Sequence, residues 1–374
     1  MDLKYRVLIS DRAFKAIAYI ENGISSLSFE HSATGGCGSF RFSLPKQYEN
    51  SRFLLGGYNI KIYILNESSG DFELKYQGYI QRVKRSFSGI KDTFSVNGLG
   101  YIGKLSKINI NSTFTSQEAS QSVKDILDND VVPNTDISYS EGDIDNTGFT
   151  PDTIKFNYES SDSAIQKIAD IVGSREWGVD KNRKLYFKAR NTTIKKEFVL
   201  GKNITDFELE HDYETIINRV IIQGGTLADD STYIKIYDEV KSQYKYGRKD
   251  KLIQNSSITT DTVAAQFKDS VFANKKYGTR KSSCRLCNFY EFLEDAIPLP
   301  IFVYREVGET FGTRKFGSGR YNGLLKQRIK RIKYNINNKG AFTVALDLDD
   351  IAPAITEDLS KLEYQLEQQR SASI

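Results

Sequence analysis

The sequence predicts an α+β, mostly β protein: two similar antiparallel β-barrel domains, an α+β insert between them and a short C-terminal helix. Three observations lead there. Apolar and polar residues alternate with period two through the first hundred positions, the pattern of half-buried strands. The spacing then changes to three and four after about Asn109, as a helix requires. Finally, a strand is written twice: YQGYIQRVKR from Tyr76 to Arg85 and YNGLLKQRIKR from Tyr321 to Arg331. Both copies have Tyr-x-Gly, an apolar pair and Arg-apolar-Lys-Arg, so Tyr76, Gly78, Arg82, Lys84 and Arg85 match Tyr321, Gly323, Arg328, Lys330 and Arg331. Each is followed by a turn and another strand, Asp92–Gly98 or Ala341–Leu348, so each is one arm of a long hairpin.

The elements follow in order. LKYRVLI, SSLSFEH, SFRFSLP, YNIKIYIL, the first motif copy and DTFSVNGL are strands, separated by turn signals at Glu21-Asn22-Gly23, Gly35-Gly36, Ser68-Ser69-Gly70 and Ser88-Gly89. Short strands at this spacing make a barrel or a sandwich, here placed at residues 1–108. Residues 109–195 form the α+β insert. One helix runs over 116–129 with Val123, Ile126 and Leu127 inward; another, SSDSAIQKIADIVG, buries Ala164, Ile165, Ile168, Ile171 and Val172 and stops at Gly173. A hairpin follows, with Trp177 and Val179 opposite Leu185 and Phe187. Strands resume over 196–353, the second β-domain, around an inserted helical segment at about 225–280 that holds a helix over 261–273 with Val263, Phe267 and Val271 inward. The last piece, 354–374, is a helix with acidic residues at its positive end and a narrow seam of Leu359, Leu362 and Leu366. That seam either joins copies of the chain or lies back on its own domain.

Composition bounds the function. With 39% hydrophobic, 27% charged and 12% aromatic residues the chain is globular rather than disordered. No apolar run reaches the roughly 20 residues of a membrane span, and MDLKYRVLIS is no export signal, so folding in a cytoplasm without a membrane anchor is expected. The net charge of +4 is mild. The Arg-apolar-Lys stripes put both cations on one strand face, either solvated or touching phosphate.

No catalytic, cofactor or metal site emerges, and no enzyme is expected. Two histidines leave few acid–base arrangements, and the zinc-protease, nucleophile-elbow, phosphate-loop and dinucleotide motifs are absent. CRLC (Cys284 and Cys287) has neither the strand–helix setting of a redox pair nor a second ligand pair for zinc, so packing is its expected role; Cys37, in GGCG, is expected as a small residue in a turn. The acidic run from Asp143 begins like a calcium loop but has Ile154 where the bidentate Glu belongs. Asp347, Asp349 and Asp350 are expected to cap a strand exit.

Four stretches, taken together and in order, resemble the phage tail hub family, the trimeric baseplate hubs of contractile tails and the N-terminal hub region of siphophage tail-associated proteins. They are ISSLSFEHSATGGCGSFRFSLP, YQGYIQRVKR…FSVNGLGYIGKL, DSAIQKIADIVGSREWGVDKNRKLYFKAR and ETIINRVIIQGG. The resemblance implies a structural protein of the virion tail tip or baseplate, made in the host cytoplasm. Three chains would present six barrels as a pseudo-six-fold ring that closes the tail tube, adapts six-fold to three-fold symmetry and leaves a channel. The implied partners are two further copies, a distal tail or tube-end ring protein, the tape-measure protein and a tail tip or fibre protein, with DNA passing through without sequence-specific binding. Any lytic activity would sit on another chain. Two alternatives stay open: the hub of a phage-derived bacteriocin or contractile injection system, and a host-surface protein that binds or degrades carbohydrate, for which 22 tyrosines would suit sugar stacking.

Overall fold

The computed structural model describes residues 4–45, 53–66, 69–87, 93–151, 153–173, 175–190, 194–199, 204–227, 229–254, 258–287, 301–305, 325–337 and 341–349. The predicted C-terminal helix with Leu359, Leu362 and Leu366, together with Tyr321, Gly323 and Asp350, lies outside them.

The first β module has seven strands: β1 (Tyr5–Ser10), β2 (Ala16–Ile20), β3 (Ser26–Ser32), β4 (Gly35–Pro45), β5 (Asn59–Leu65), β6 (Phe72–Ser86) and β7 (Thr93–Gly100). They pair antiparallel in the order β3-β4-β7-β6-β5-β1-β2. Period-two patterning sets which face is inside: Phe40, Phe42, Leu44, Ile60, Ile62, Ile64, Phe94 and Val96 are buried together.

A short helix α1 (Ile102–Leu105) leads into the middle unit. There β8 (Asn109–Thr115) pairs with β9 (Thr153–Ser160), α2 (Ala119–Ile126) continues as a π-turn over Leu127–Val131, and α3 (Ser161–Val172) packs beneath them. The first helix starts three residues later than Ser116 because Glu118 is its cap, accepting from the Gln121 amide. Strands β10 (Arg175–Val179) and β11 (Leu185–Ala189) form the expected hairpin, with Trp177 opposite Phe187 and Val179 opposite Leu185. Its inner strand also pairs in parallel with β4 at Gly178–Gly35 and Val179–Gly36. A Cβ on Gly36 would lie 2.1 Å from the Val179 carbonyl oxygen, so only glycine admits the hairpin here.

The second β module comprises β12 (Ile194–Val199) and β13 (Ile204–Asp212), then β17 (Thr279–Leu286), β18 (Ile301–Arg305), β19 (Leu325–Asn337) and β20 (Phe342–Asp349). Between β13 and β17 sits an insert with its own core. In it β14 (Arg219–Thr226) is flanked by β15 (Thr232–Asp238), antiparallel, and β16 (Asp250–Gln254), parallel. Helix α4 (Val240–Tyr246) makes the crossover, and α5 (Asp261–Lys275) packs Phe267 and Val271 on Val220 and Ile222.

Two separate closed barrels were the expectation, and the strand pairing differs. Among the described residues the strands of both modules join one sheet, antiparallel along its main path β13-β17-β20-β19-β3-β4-β7-β6-β5-β1-β2, which is open at both ends, with β12 parallel to β18 beside it. The reason is the length of β19. Residues 325–328 pair with β18, while Arg331–Asn337 run on to pair with Ser32–Ser26 of β3. One strand serves both modules, and their cores merge.

Candidate functional site at the junction of the two β modules

The two modules share a wiring diagram. Strands β3-β4-β7-β6-β5 of the first and β13-β17-β20-β19-β18 of the second occur in the same chain order and the same spatial order, with every contact antiparallel. Bulges set the correspondence residue by residue. The register of β6 on β7 slips between Ile80 and Arg82, and that of β19 on β20 slips between Ile329 and Arg331. Matching the bulges equates Ile80 with Ile329 and Arg82 with Arg331, three residues on from the textual match of Arg82 with Arg328. Inward-facing positions agree with the bulge register: Ile80, Val83 and Val96 of the first module correspond to Ile329, Ile332 and Leu346.

Following the rungs outward gives the rest. Arg82–Asn97–Arg41–Ser28 corresponds to Arg331–Asp347–Ser283–Glu208. The core rung Val83–Val96–Phe42–Leu27 corresponds to Ile332–Leu346–Cys284–Phe207, and Ile80–Gly98–Phe40–Phe29 to Ile329–Leu348–Ser282–Leu209. Glu30-His31-Ser32 then falls on Glu210-His211-Asp212, so the two histidines of the chain occupy equivalent places. The Glu-His dipeptide is legible in the sequence and marks the same correspondence as the bulges.

The repeated residues have distinct surroundings. Tyr76 is fully buried and its hydroxyl donates to the Gly38 carbonyl at 2.7 Å; Gly78 is also buried. Arg82 and Lys84 are exposed, opposite the neutral Asn97 and Ser95, and Arg85 lies 5.5 Å over the Phe94 ring. In the second copy Lys330 is the exposed bulge residue. Arg331 sits between Glu30 at 3.6 Å and Asp347 at 3.8 Å, and Lys333 reaches Asp347 at 2.7 Å. Asp347 therefore anchors a cross-strand charge ladder instead of capping a strand exit. Arg328 points elsewhere: its Nη1 donates to Glu176 Oε1 at 2.5 Å, with Arg190 Nε 4.0 Å from the same oxygen and Glu176 fully buried. This ion pair ties the middle unit to β19.

The cysteines and acids resolve into structural roles. Cys37 lies within β4 rather than in a turn, and its thiol is 3.6 Å from His31 Nδ1 while His31 Nε2 donates to the Lys75 carbonyl at 2.9 Å. The pair has the composition of a nucleophile and its base. Burial lowers the His31 pKa to about 4 and pushes the Cys37 thiol up to about 12, the reverse of what a thiolate nucleophile needs. Cys284 fills the core position held by Phe42 in the first module, its thiol likewise pushed up to about 12 by burial, while Cys287 is exposed. In the acidic run from Asp143, that residue accepts from the Ser140 amide, Asp145 from the Ala189 amide and Asn146 from the Gly148 amide. These are turn and cap contacts rather than a cage of ligands.

Solved structures with this architecture exist. The tail protein of Neisseria meningitidis MC58 aligns over 95% of this chain and 99% of its own, with a TM-score of 0.65 at 11% identity. The 43 kDa tail protein of prophage MuSo2 from Shewanella oneidensis aligns over 95% and 99%, with a TM-score of 0.63 at 13% identity. The fold is that of phage tail proteins. The same tail-protein fold covers 93% of this chain and 58% of the matched chain in the Francisella PdpA–VgrG complex, with a TM-score of 0.55 at 11% identity. In sequence, no family model and no curated protein matches.

Proposed function

We propose that this chain is a structural hub of a phage or phage-like tail, without enzymatic activity, and that three copies form a pseudo-six-fold ring at the end of the tail tube. The ring adapts six-fold to three-fold symmetry and leaves a channel for tape measure and DNA. One observation carries the reading: a single chain holds the same five-strand module twice, joined edge to edge through β19 and β3. A chain with two equivalent modules contributes two of six positions, and a closed ring leaves no free ends. The tail-protein fold over nearly the whole length supports it, and the chemistry of Cys37 and His31 suits a packed core.

The proposed partners are a tube-end ring protein above, the tape-measure protein within and a tail tip or fibre protein below. The likeness to a VgrG chain favours one second reading, the hub of a contractile injection or secretion device. Negative-stain imaging and native mass of the purified chain test the proposal. A three-fold particle with six-fold texture is expected; a stable monomer that hydrolyses peptidoglycan or glycan overturns it.

A further inference from the structure

The junction inside the chain is a template for a junction between chains. Along Arg331–Asn337, β19 pairs with β3, and the module equivalence maps those strands onto β6 and β13. Among the described residues β5, with Tyr58 and Gly57 just before it, accompanies β6 only as far as Ile80, and no strand faces the edge of β6 beyond that point; β13 has one strand neighbour, β17. Each is the half of a junction that its counterpart completes within the chain.

We propose that β6 of one copy pairs antiparallel with β13 of a second copy, in the register that β19 and β3 display. The mapping specifies Arg82 opposite Asp212, Val83 opposite His211, Lys84 opposite Glu210, Arg85 opposite Leu209, Ser86 opposite Glu208 and Phe87 opposite Phe207. None of these side chains entered the alignment by charge, yet the outer face pairs two cations with two acids. That reproduces Lys333 opposite Glu30 and the Arg331–Glu30 ion pair of the internal junction. Asp212 also has Lys281 of its own chain at 3.8 Å, which leaves Glu210 as the principal acid for Lys84. On the inner face Phe87 is 69% exposed, while its counterpart Ile336 is 3% exposed at the completed junction. Leu209 is half-buried, whereas its counterpart Phe29 is 2% exposed. Pairing would cover two strand edges that folded proteins otherwise protect.

The contact is head to tail, since the surface on one copy differs from that on the next. It closes only as a ring, with in-chain and between-chain junctions alternating. The inference rests on the ring reading above, and the test separates the two. R82E/K84E should weaken assembly of the full chain at least ~10-fold, and so should E210K/D212K, because each places like charges opposite one another. All four changes in one chain should restore it. A one-to-one mixture of the two double variants should not form closed trimers, because their contacts alternate and three is odd. As a direct trap, Ser86→Cys with Glu208→Cys in a Cys287→Ser background should give disulfide-linked oligomers on mild oxidation. A wild-type trimer that ignores the charge reversals and shows no trapped oligomer overturns this register and leaves the ring standing. A monomer at every concentration with no trapped oligomer overturns both, and a disulfide closed within one chain overturns the pairing.

Discussion

The two β modules have the same wiring and different fillings. In the first, the core rung Ile80–Gly98–Phe40–Phe29 places a large ring over a glycine; in the second, Ile329–Leu348–Ser282–Leu209 places a leucine under a serine. Bulk has moved one strand across while the rung still fills its space, as close packing demands. A further difference lies at the turn between the first two strands. The first module links β3 to β4 through Ala33 and Thr34, whereas the second spends residues 213–278 on a separate sheet and the helices α4 and α5 between β13 and β17. Pairing order is thus the property the two modules share, and side-chain volume is distributed differently within each rung.

Substitutions can break or sharpen this contrast, and a matched pair at one core position gives the largest expected effect. Phe42→Ala should cost about 4 kcal/mol because it leaves a cavity in a rung with no slack. Cys284→Ala, at the matching site, should cost about 1 kcal/mol, and equal losses in urea denaturation would deny that the positions are differently filled. Arg328→Met leaves Glu176 buried without its closest cation and should cost about 3 kcal/mol. Paired replacement of both by apolar residues should recover most of it, as calorimetry can check. Gly98→Ala forces a Cβ to 2.1 Å from the Tyr79 carbonyl and 2.3 Å from the Phe40 ring, an overpacking loss of about 2 kcal/mol. Relief by Phe40→Ser, the residue of the second module, would establish the exchange of bulk.

His31 supplies a pH test. Its pKa is lowered in the folded state from 6.5 to about 4 by burial, so the unfolded chain takes up the proton first. The stabilisation is complete above pH 6.5 and is lost as pH falls towards 4, the loss reaching about 2 kcal/mol by pH 5. His31→Asn should flatten that limb of the stability profile between pH 6.5 and 5. The smallest effect belongs to the exposed charge ladder: Asp347→Asn should cost about 0.5 kcal/mol and lose its effect in high salt.

Much of the first module was legible because its strands have one wet face, so alternation marks both the element and its inward side. Helix α3 was legible from Ala164, Ile165 and Ile168 at helical spacing before Gly173. The merging of the modules was not, since nothing in Ser26–Ser32 announces a partner strand some three hundred positions away. The written repeat is offset by three residues from the bulge correspondence. Arg-apolar-Lys-Arg fits many half-exposed strands, and the bulges that fix true equivalence leave no residue signature at Gln81 or Lys330. Helix α4 and the parallel strand β16 were missed for another reason: KSQYKYG and DKLIQ are short and polar enough to pass for loop.

Strand β19 carries a mechanical implication. It is bonded to β20 on one side and, over Arg331–Asn337, to β3 on the other. A pull along its axis therefore loads many backbone bonds in shear at once, and none can fail singly as in a peeled edge. A protein wired this way resists tension between its two halves, which part only when that whole run of bonds gives way together.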